Sequence, residues 1–370
     1  MDFEKAKKRQ NLKVIISEII MFMVVVMTVI VLAFVVSGYW INEKFEVERQ
    51  GMLQIASLPT GADVIIDDES SWLQKTNTSK VLPVGDHVVT LTKEGYDTWS
   101  KTVSISEGLL HRVHYPRLFP LERHKSTVYD AIGTSKVFVS DNNEKILLYS
   151  GDPTTIDTDK YSSGNPPASA DLSAELPSWK LLELKSRTVE PKPVTLRTLY
   201  DFFKTPESNP RDSVEDYNLQ GNLLGSEELL FAHFYDDQYL IILDGSLLTI
   251  YKRGEQDPVL SQELSFVPEE SRMGGEDEFV VFSNGPHLAT LDMELMAVKE
   301  WAVESEHPAW LDSSMLYVVA DGELIVYDYD GLNRRTIAKG VSERFPVIIV
   351  GDEWLYYFSD DNLMRENLKV

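Results

Sequence analysis

The strongest constraint on this chain is a run from Ile19 to Asn42 that contains no charged side chain. A helix rises about 1.5 Å per residue, so roughly 20 apolar residues cross the hydrocarbon core of a bilayer. The run meets that length and predicts a single transmembrane helix over residues 14–41. Lys5, Lys7, Lys8, Arg9 and Lys13 precede it, and Glu43, Glu46 and Glu48 follow it. Positive flanks stay on the cytoplasmic side, which makes residues 1–13 a cytoplasmic basic tail and places the rest of the chain outside. Tyr39 and Trp40 stand where amphipathic rings favour the headgroup layer. A cleaved secretory signal and a buried core helix are the competing readings, but the run is longer than a signal's apolar stretch and lacks a small-x-small cleavage site. The first expected partner is therefore the lipid bilayer, contacted through Ile19 to Ile41.

Charge then limits what the exported part binds. The first 13 residues carry five positive and two negative charges, a net +3, so the chain's net −24 leaves −27 on residues 14–370. An acidic surface lacks the basic footprint that nucleic acid requires, and nucleic acid is excluded as a partner. There are no cysteines, so neither disulfides nor thiolate metal sites stabilise the outer domains, which must rely on apolar cores. About 330 residues outside the span suffice for one large or two ordinary domains.

Residues 42–50 are charged and lack strand alternation, and read as a stalk. From Gly51 to Leu121 short β-type runs alternate with turn residues such as Pro59, Gly61, Gly85, Gly95 and Gly108. Val89 and Leu91 alternate with Val88, Thr90 and Thr92, so each strand offers one apolar face, and two such sheets make a small sandwich. The passages SLPTGADVIIDD, LPVGDHVVTLTKEGYDTW and TVSISEG, taken in order, resemble a PEGA domain over residues 51–121. The family's tetrapeptide falls on Pro59, Thr60, Gly61 and Ala62, with Thr in place of Glu. Asp68 departs again, standing where the family has Gly. The resemblance implies a surface-exposed, non-catalytic module beside a transmembrane segment.

Residues 122–370 repeat another unit, most legible from His307 to Gly340, where PAWL, MLYVVA, ELIVYDY and RRTIA read as four strands. Strand quartets at a spacing of roughly 35 to 45 residues predict a β-propeller. The passage Tyr327 to Arg335 resembles the outer hairpin of TolB-like or WD-repeat-like blades. About five blades are expected, six being the rival count, with a strand near residues 123 to 131 completing the last one. An insert over residues 151–177 reads as a mobile loop, and TLYDFFK near Tyr200 as one or two helical turns. The fold class is thus an all-β ectodomain, a small sandwich plus a propeller, on one N-terminal helix.

No catalytic, cofactor or metal site is assignable from the sequence. His111 and His114 sit three apart on a strand, hence on opposite faces, whereas paired metal ligands must converge. His87 occupies a position of the PEGA pattern and reads as a packing or turn residue. Asp328, Asp330 and Gly331 resemble half of a calcium loop but lack its remaining oxygen ligands, and read as a hairpin turn. The acidic groups Asp236-Asp237, Glu269-Glu270, Asp360-Asp361 and Glu276 to Glu278 read as a solvated rim. Asn77-Thr78-Ser79 fits a glycosylation acceptor. Trp179, Trp301, Trp310 and Trp354 recur among the propeller units, where blade packing is the default and sugar stacking the sharper alternative. The expected function is non-enzymatic: a membrane-anchored extracytoplasmic binding or adaptor protein of the cell envelope that recognises a protein or an envelope glycan. An envelope hydrolase with a site in the propeller channel, or a structural subunit of a membrane complex, are the rival readings.

Overall fold

The computed structural model describes residues 17–30, 32, 39–41, 47–162, 166–167, 170–186, 188–204, 229–235, 238–255, 257–274, 278–305 and 307–369. Residues 1–13, Asp236-Asp237, Glu276 and Asp277 therefore lie outside the described residues. The chain forms two compact units, one of residues 1–94 and 98–118, the other of residues 95–97 and 119–370.

The first unit opens with helix α1 (residues 17–30). Its apolar side chains, Ile19, Phe22, Met23, Val26 and Ile30 among them, are exposed on every side. Among the described residues no helix is long and apolar enough to cross a membrane. Strands β1 (Tyr39–Ile41), β2 (Val47–Ile55) and β5 (Thr78–Pro83) follow one another in one sheet, with β8 (Leu110–Val113) paired parallel to β2. The second sheet runs β4 (Glu69–Lys75), β3 (Asp63–Ile66), β6 (Gly85–Thr92), β7 (Trp99–Ile105). The alternation read from the sequence is present in β6, where His87, Val89 and Leu91 are buried and Val88 is exposed.

Two boundaries move from their expected places. The helix expected to Ile41 gives way to β1 by Tyr39, and the stalk expected over 42–50 yields Val47 to Gln50 to β2. VERQ carries no strand alternation, so its extended form comes from its pairing, Val47 to Arg49 with β1 and Gln50 with Pro83. The two sheets approach closely at Gly51. A Cβ there would lie 2.3 Å from the Ser106 carbonyl oxygen and 2.7 Å from Ile105 Cγ2. Asp68, the departure from Gly, holds φ at 63°, a left-handed conformation that aspartate tolerates better than most residues.

The second unit holds five four-stranded antiparallel sheets among its described residues. The first is β10 (Lys136–Val139), β11 (Lys145–Tyr149), β12 (Glu175–Glu183) and β13 (Lys192–Thr195). The second is β14 (Leu229–Tyr235), β15 (Tyr239–Asp244), β16 (Leu247–Lys252) and β17 (Leu260–Glu263). In the third, β18 (Glu270–Met273), β19 (Phe279–Asn284), β20 (His287–Asp292) and β21 (Ala297–Ala302) are neighbours. β22 (Ala309–Trp310), β23 (Met315–Ala320), β24 (Glu323–Asp328) and β25 (Arg335–Lys339) make the fourth. The fifth joins β26 (Ile348–Val350), β27 (Trp354–Ser359) and β28 (Asn362–Asn367) to β9 (Lys125–Asp130), so the strand that opens the unit completes its last sheet.

Successive sheets share apolar cores. Ile241 and Leu248 of the second pack with Val280 and Leu291 of the third. Val281 and Leu288 meet Leu316 and Ile325 of the fourth. Val326 and Leu324 pack with Leu355 and Tyr357 of the fifth, whose Tyr356 and Phe358 meet Ile146 and Leu148 of the first. The second to fifth sheets stacked in order, with the fifth against the first and closed by the unit's opening strand, make a propeller-like unit.

The other face of the first sheet is covered by helices, in part drawn from the stretch 151–177 expected as a loop insert. A 3-10 turn (Pro153–Thr155) and helix α2 (Asp159–Ser162) lie within that stretch, and its last residues belong to β12. Helix α3 (Leu196–Phe203) sits where TLYDFFK predicted helix. Tyr161 of α2 and Leu199 and Tyr200 of α3 are buried with Leu147 and Trp179 of the sheet. Burial of Tyr161 fixes α2 against the sheet.

Candidate ligand pocket

The pocket arises from a mismatch between β12 and β13. Their register is Leu181 with Lys192 and Lys180 with Pro193, then jumps to Glu175 with Thr195. Four residues of β12, Leu176 to Trp179, therefore oppose Val194 alone. Pro177 and Pro193 have no backbone N–H, so regular ladder bonds cannot form here and the strand bulges. The bulge opens a pocket of about 210 Å³. Leu176, Trp179 and Val194 line its apolar part, Pro191 and Pro193 one side, and Glu175, Lys180 and Lys192 supply charge.

The walls are fixed from behind. Thr195 ends β13 and caps α3: its hydroxyl accepts from Thr198 N at 3.3 Å, while Thr198 Oγ1 accepts from Thr195 N at 3.2 Å. Trp179 is held between Tyr149, 4.7 Å away by ring centroids, and Phe138, stacked at 5.7 Å. Tyr149 in turn occupies the space above Gly151, where a Cβ would lie 2.2 Å from its hydroxyl oxygen. Lys192 Nζ donates to Glu183 Oε2 at 2.5 Å, and this bond holds the Glu183 carboxyl below its usual range. The pocket lining contains carboxylate and ammonium groups but no histidine, serine, threonine or cysteine. Such a set can bind and orient a ligand by charge and apolar contact; it does not assemble a nucleophile with its base.

Most residues singled out in the sequence take structural roles elsewhere. His87 Nδ1 pairs with Asp67 Oδ2 at 2.6 Å and its Nε2 with the Pro83 carbonyl at 2.8 Å, fixing the start of β6. Hydrogen bonds from His87 first, then from Val88 N, lower the Asp67 pKa. His111 Nε2 accepts from Ser106 N at 2.8 Å, and His114 is exposed beyond the end of β8. Asp328, Asp330 and Gly331 form a turn: Gly331 N donates to the Asp328 carbonyl, Leu332 N to Asp330 Oδ1, and Asn333 Nδ2 to Asp328 Oδ2. Asn77 is exposed at a left-handed position, φ 72°. Glu269, Glu270, Glu278, Asp360 and Asp361 are exposed, and Glu270 pairs with Arg272 at 2.6 Å.

The tryptophans pack against their neighbours. Trp301 lies against Tyr327, Trp354 carries Arg365 over its ring at 4.5 Å, and Trp310 Nε1 donates to the Arg272 carbonyl. Trp179 alone of the four lines the pocket. Sequence reading missed the pocket itself, because a register shift is a property of two strands; the prolines at 177, 191 and 193 were the available signal.

The matched family follows from the first unit. Residues 50–116 match the PEGA domain family. The PEGA match begins one residue before the expected 51–121 and ends five residues short of it, before Leu118, the last residue of that unit. No curated protein matches the chain. Among solved structures, the chain is similar to Kuenenia stuttgartiensis hydrazine synthase at 9% identity, over 62% of this chain and 56% of that one, with a TM-score of 0.22. A chain of the mitotic checkpoint complex is matched at 9% identity over 76% and 86%, TM-score 0.27. The dihydro-heme d1 dehydrogenase NirN in complex with DHE is matched at 12% over 44% and 39%, TM-score 0.25. These scores carry no argument about function, and the propeller-like assignment beyond the PEGA domain rests on the sheet order and its closing strand.

Proposed function

We propose that this chain is a single-pass, membrane-anchored binding or adaptor protein of the cell envelope, with its N-terminus cytoplasmic and its PEGA domain and propeller-like unit outside. The run Ile19 to Ile41 with its basic leading flank supports the anchor and its orientation. Support also comes from α1, whose apolar side chains are exposed all round; a helix of that kind belongs in a non-aqueous setting.

The observation that carries the binding role is the bulge pocket beside Trp179. Its lining combines apolar Leu176, Trp179 and Val194 with charged Glu175, Lys180 and Lys192, and it lies on a sheet packed against α3. Its size suits one residue of a polymer or one side chain of a protein, so the reading is recognition of an envelope glycan or an envelope protein.

Purification of the full-length chain from native membranes, with analysis of both co-purifying proteins and glycans, tests this. A specific companion should be recovered, and Lys180→Glu should reduce its yield. Recovery of nothing above background, or equal recovery with Lys180→Glu, contradicts the proposed role of the pocket.

A further inference from the structure

The PEGA domain carries an apolar rim gathered about the middle of β2. Met52, Val81 and Leu110 are 43%, 50% and 41% exposed. They are direct neighbours across three strands, Met52 facing Val81 of β5 and Leu110 of β8. Two further apolar residues, Val84 and Leu109, are 46% and 57% exposed. Backbone bonds tie them to the same stretch of β2. Val84 N donates to the Arg49 carbonyl, Gly108 N to the Gln50 carbonyl, and Met52 N to the Leu109 carbonyl. Five exposed apolar side chains thus surround residues 49 to 52.

The chain comes from the apolar run into this part of the domain through β2. Ile41 of β1 pairs with Val47, and Met52 follows five residues later in the same strand. At about 3.3 Å per residue the rim lies within roughly 17 Å of the place where the run ends. Water is a poor solvent for five clustered apolar side chains, whereas the headgroup and acyl boundary accepts such groups to a depth of about 5–10 Å.

We infer that the rim formed by Met52, Val81, Val84, Leu109 and Leu110 rests in the surface of the bilayer. The inference rests on the anchored reading above. It makes the PEGA domain a membrane-seated mount, in place of a module held clear of the membrane on a stalk. The occupant of the rim is lipid, because the covalent connection to the anchor keeps this part of the domain beside the bilayer at all times.

The chain has no cysteine, so a single introduced thiol carries a single label. Full-length Met52→Cys, Val81→Cys and Leu110→Cys, each bearing an environment-sensitive fluorophore, are reconstituted in phosphatidylcholine vesicles with and without brominated acyl chains. Val88→Cys serves as the control: Val88 is 46% exposed and lies on β6, in the other sheet. Val25→Cys in α1 reports the anchor. About half of the emission should be lost to brominated lipid at the three rim positions and at Val25, with little change at Val88. Quenching at Val25 with none at the rim overturns the inference and leaves the anchor standing. A blue-shifted rim signal without lipid quenching shows a protein partner or second copy on the rim and also overturns it. Absence of quenching at Val25 as well removes both the anchor and the seat.

Discussion

Arg123 and Glu366, 243 residues apart, form an ion pair at 3.1 Å with side chains only 20% and 8% exposed. Glu366 belongs to β28, the last described strand, and Arg123 lies two residues before β9, the strand that pairs with it. Arg123 also donates to the carbonyls of Pro120 and Ile337, and the Tyr357 hydroxyl donates to Glu366 Oε1 at 2.5 Å. Burial, followed by that bond to Glu366, pushes the Tyr357 pKa upward, so this hydroxyl remains a donor throughout the ordinary pH range. The pair fastens the closing strand onto the propeller-like unit.

Removing the arginine leaves Glu366 buried without its cation. Arg123→Ala should cost about 3 kcal/mol in the stability of the second unit, since breaking one side of a buried pair strands the other charge. Arg123→Lys should recover part of it. Denaturant unfolding of the full chain, followed by tryptophan emission, measures the loss; a change within error of the parent shows that the pair does not hold the closing strand.

Gly51→Ala places a methyl group against the Ser106 carbonyl and Ile105. The sheets must part, at a cost of about 1–3 kcal/mol confined to the PEGA domain. Two unfolding transitions, with only the PEGA transition displaced, are the expected result in calorimetry. An unmoved transition shows that the sheets yield without cost.

Asp292 is buried at the end of β20, where its Oδ1 accepts from Glu294 N and Leu295 N and its Oδ2 from the Tyr329 hydroxyl at 3.1 Å. Burial raises its pKa above the usual carboxylate value. A carboxyl whose folded pKa is raised favours the protonated form, so its ionisation weakens the fold as pH climbs from the unfolded value of about 4 through the folded value. Asp292→Asn keeps the Oδ1 acceptor and removes the charge. The variant should match or exceed the parent in stability at pH 7, and the advantage should vanish at the acid end. A variant less stable than the parent at every pH shows that the ionised form is the one this site favours.

Asp67 has the opposite sign. Its folded pKa is lowered, chiefly by the bond from His87, so its contribution is present above the unfolded value and is lost as pH falls through the folded one. The PEGA transition should weaken below about pH 4, and Asp67→Asn should flatten that dependence. Melting curves of both proteins between neutral and acid pH check it; parallel curves contradict the assignment.

Buried strands were legible in the sequence because their own residues announce them: MLYVVA became β23, and ELIVYDY contains β24. The closing strand, expected near 123 to 131, is β9 at Lys125–Asp130. Lys192–Thr195 and Glu270–Met273 were not legible. KPVT contains a proline, tolerated because β13 is an edge strand, and ESRM is polar and extended through its pairing with β19. The pocket depends on the offset of β12 against β13, and the clasp on two residues at opposite ends of the second unit. Neither leaves a local pattern.

Membrane attachment and sidedness bear most directly on the account as a whole. Right-side-out and inside-out membrane vesicles from cells producing the full chain, washed in alkaline carbonate before or after protease treatment, provide the measurement. The chain should stay in the washed membrane pellet, and protease should remove the PEGA domain and propeller-like unit from right-side-out vesicles only. Release by carbonate, or digestion of those units in inside-out vesicles alone, contradicts it.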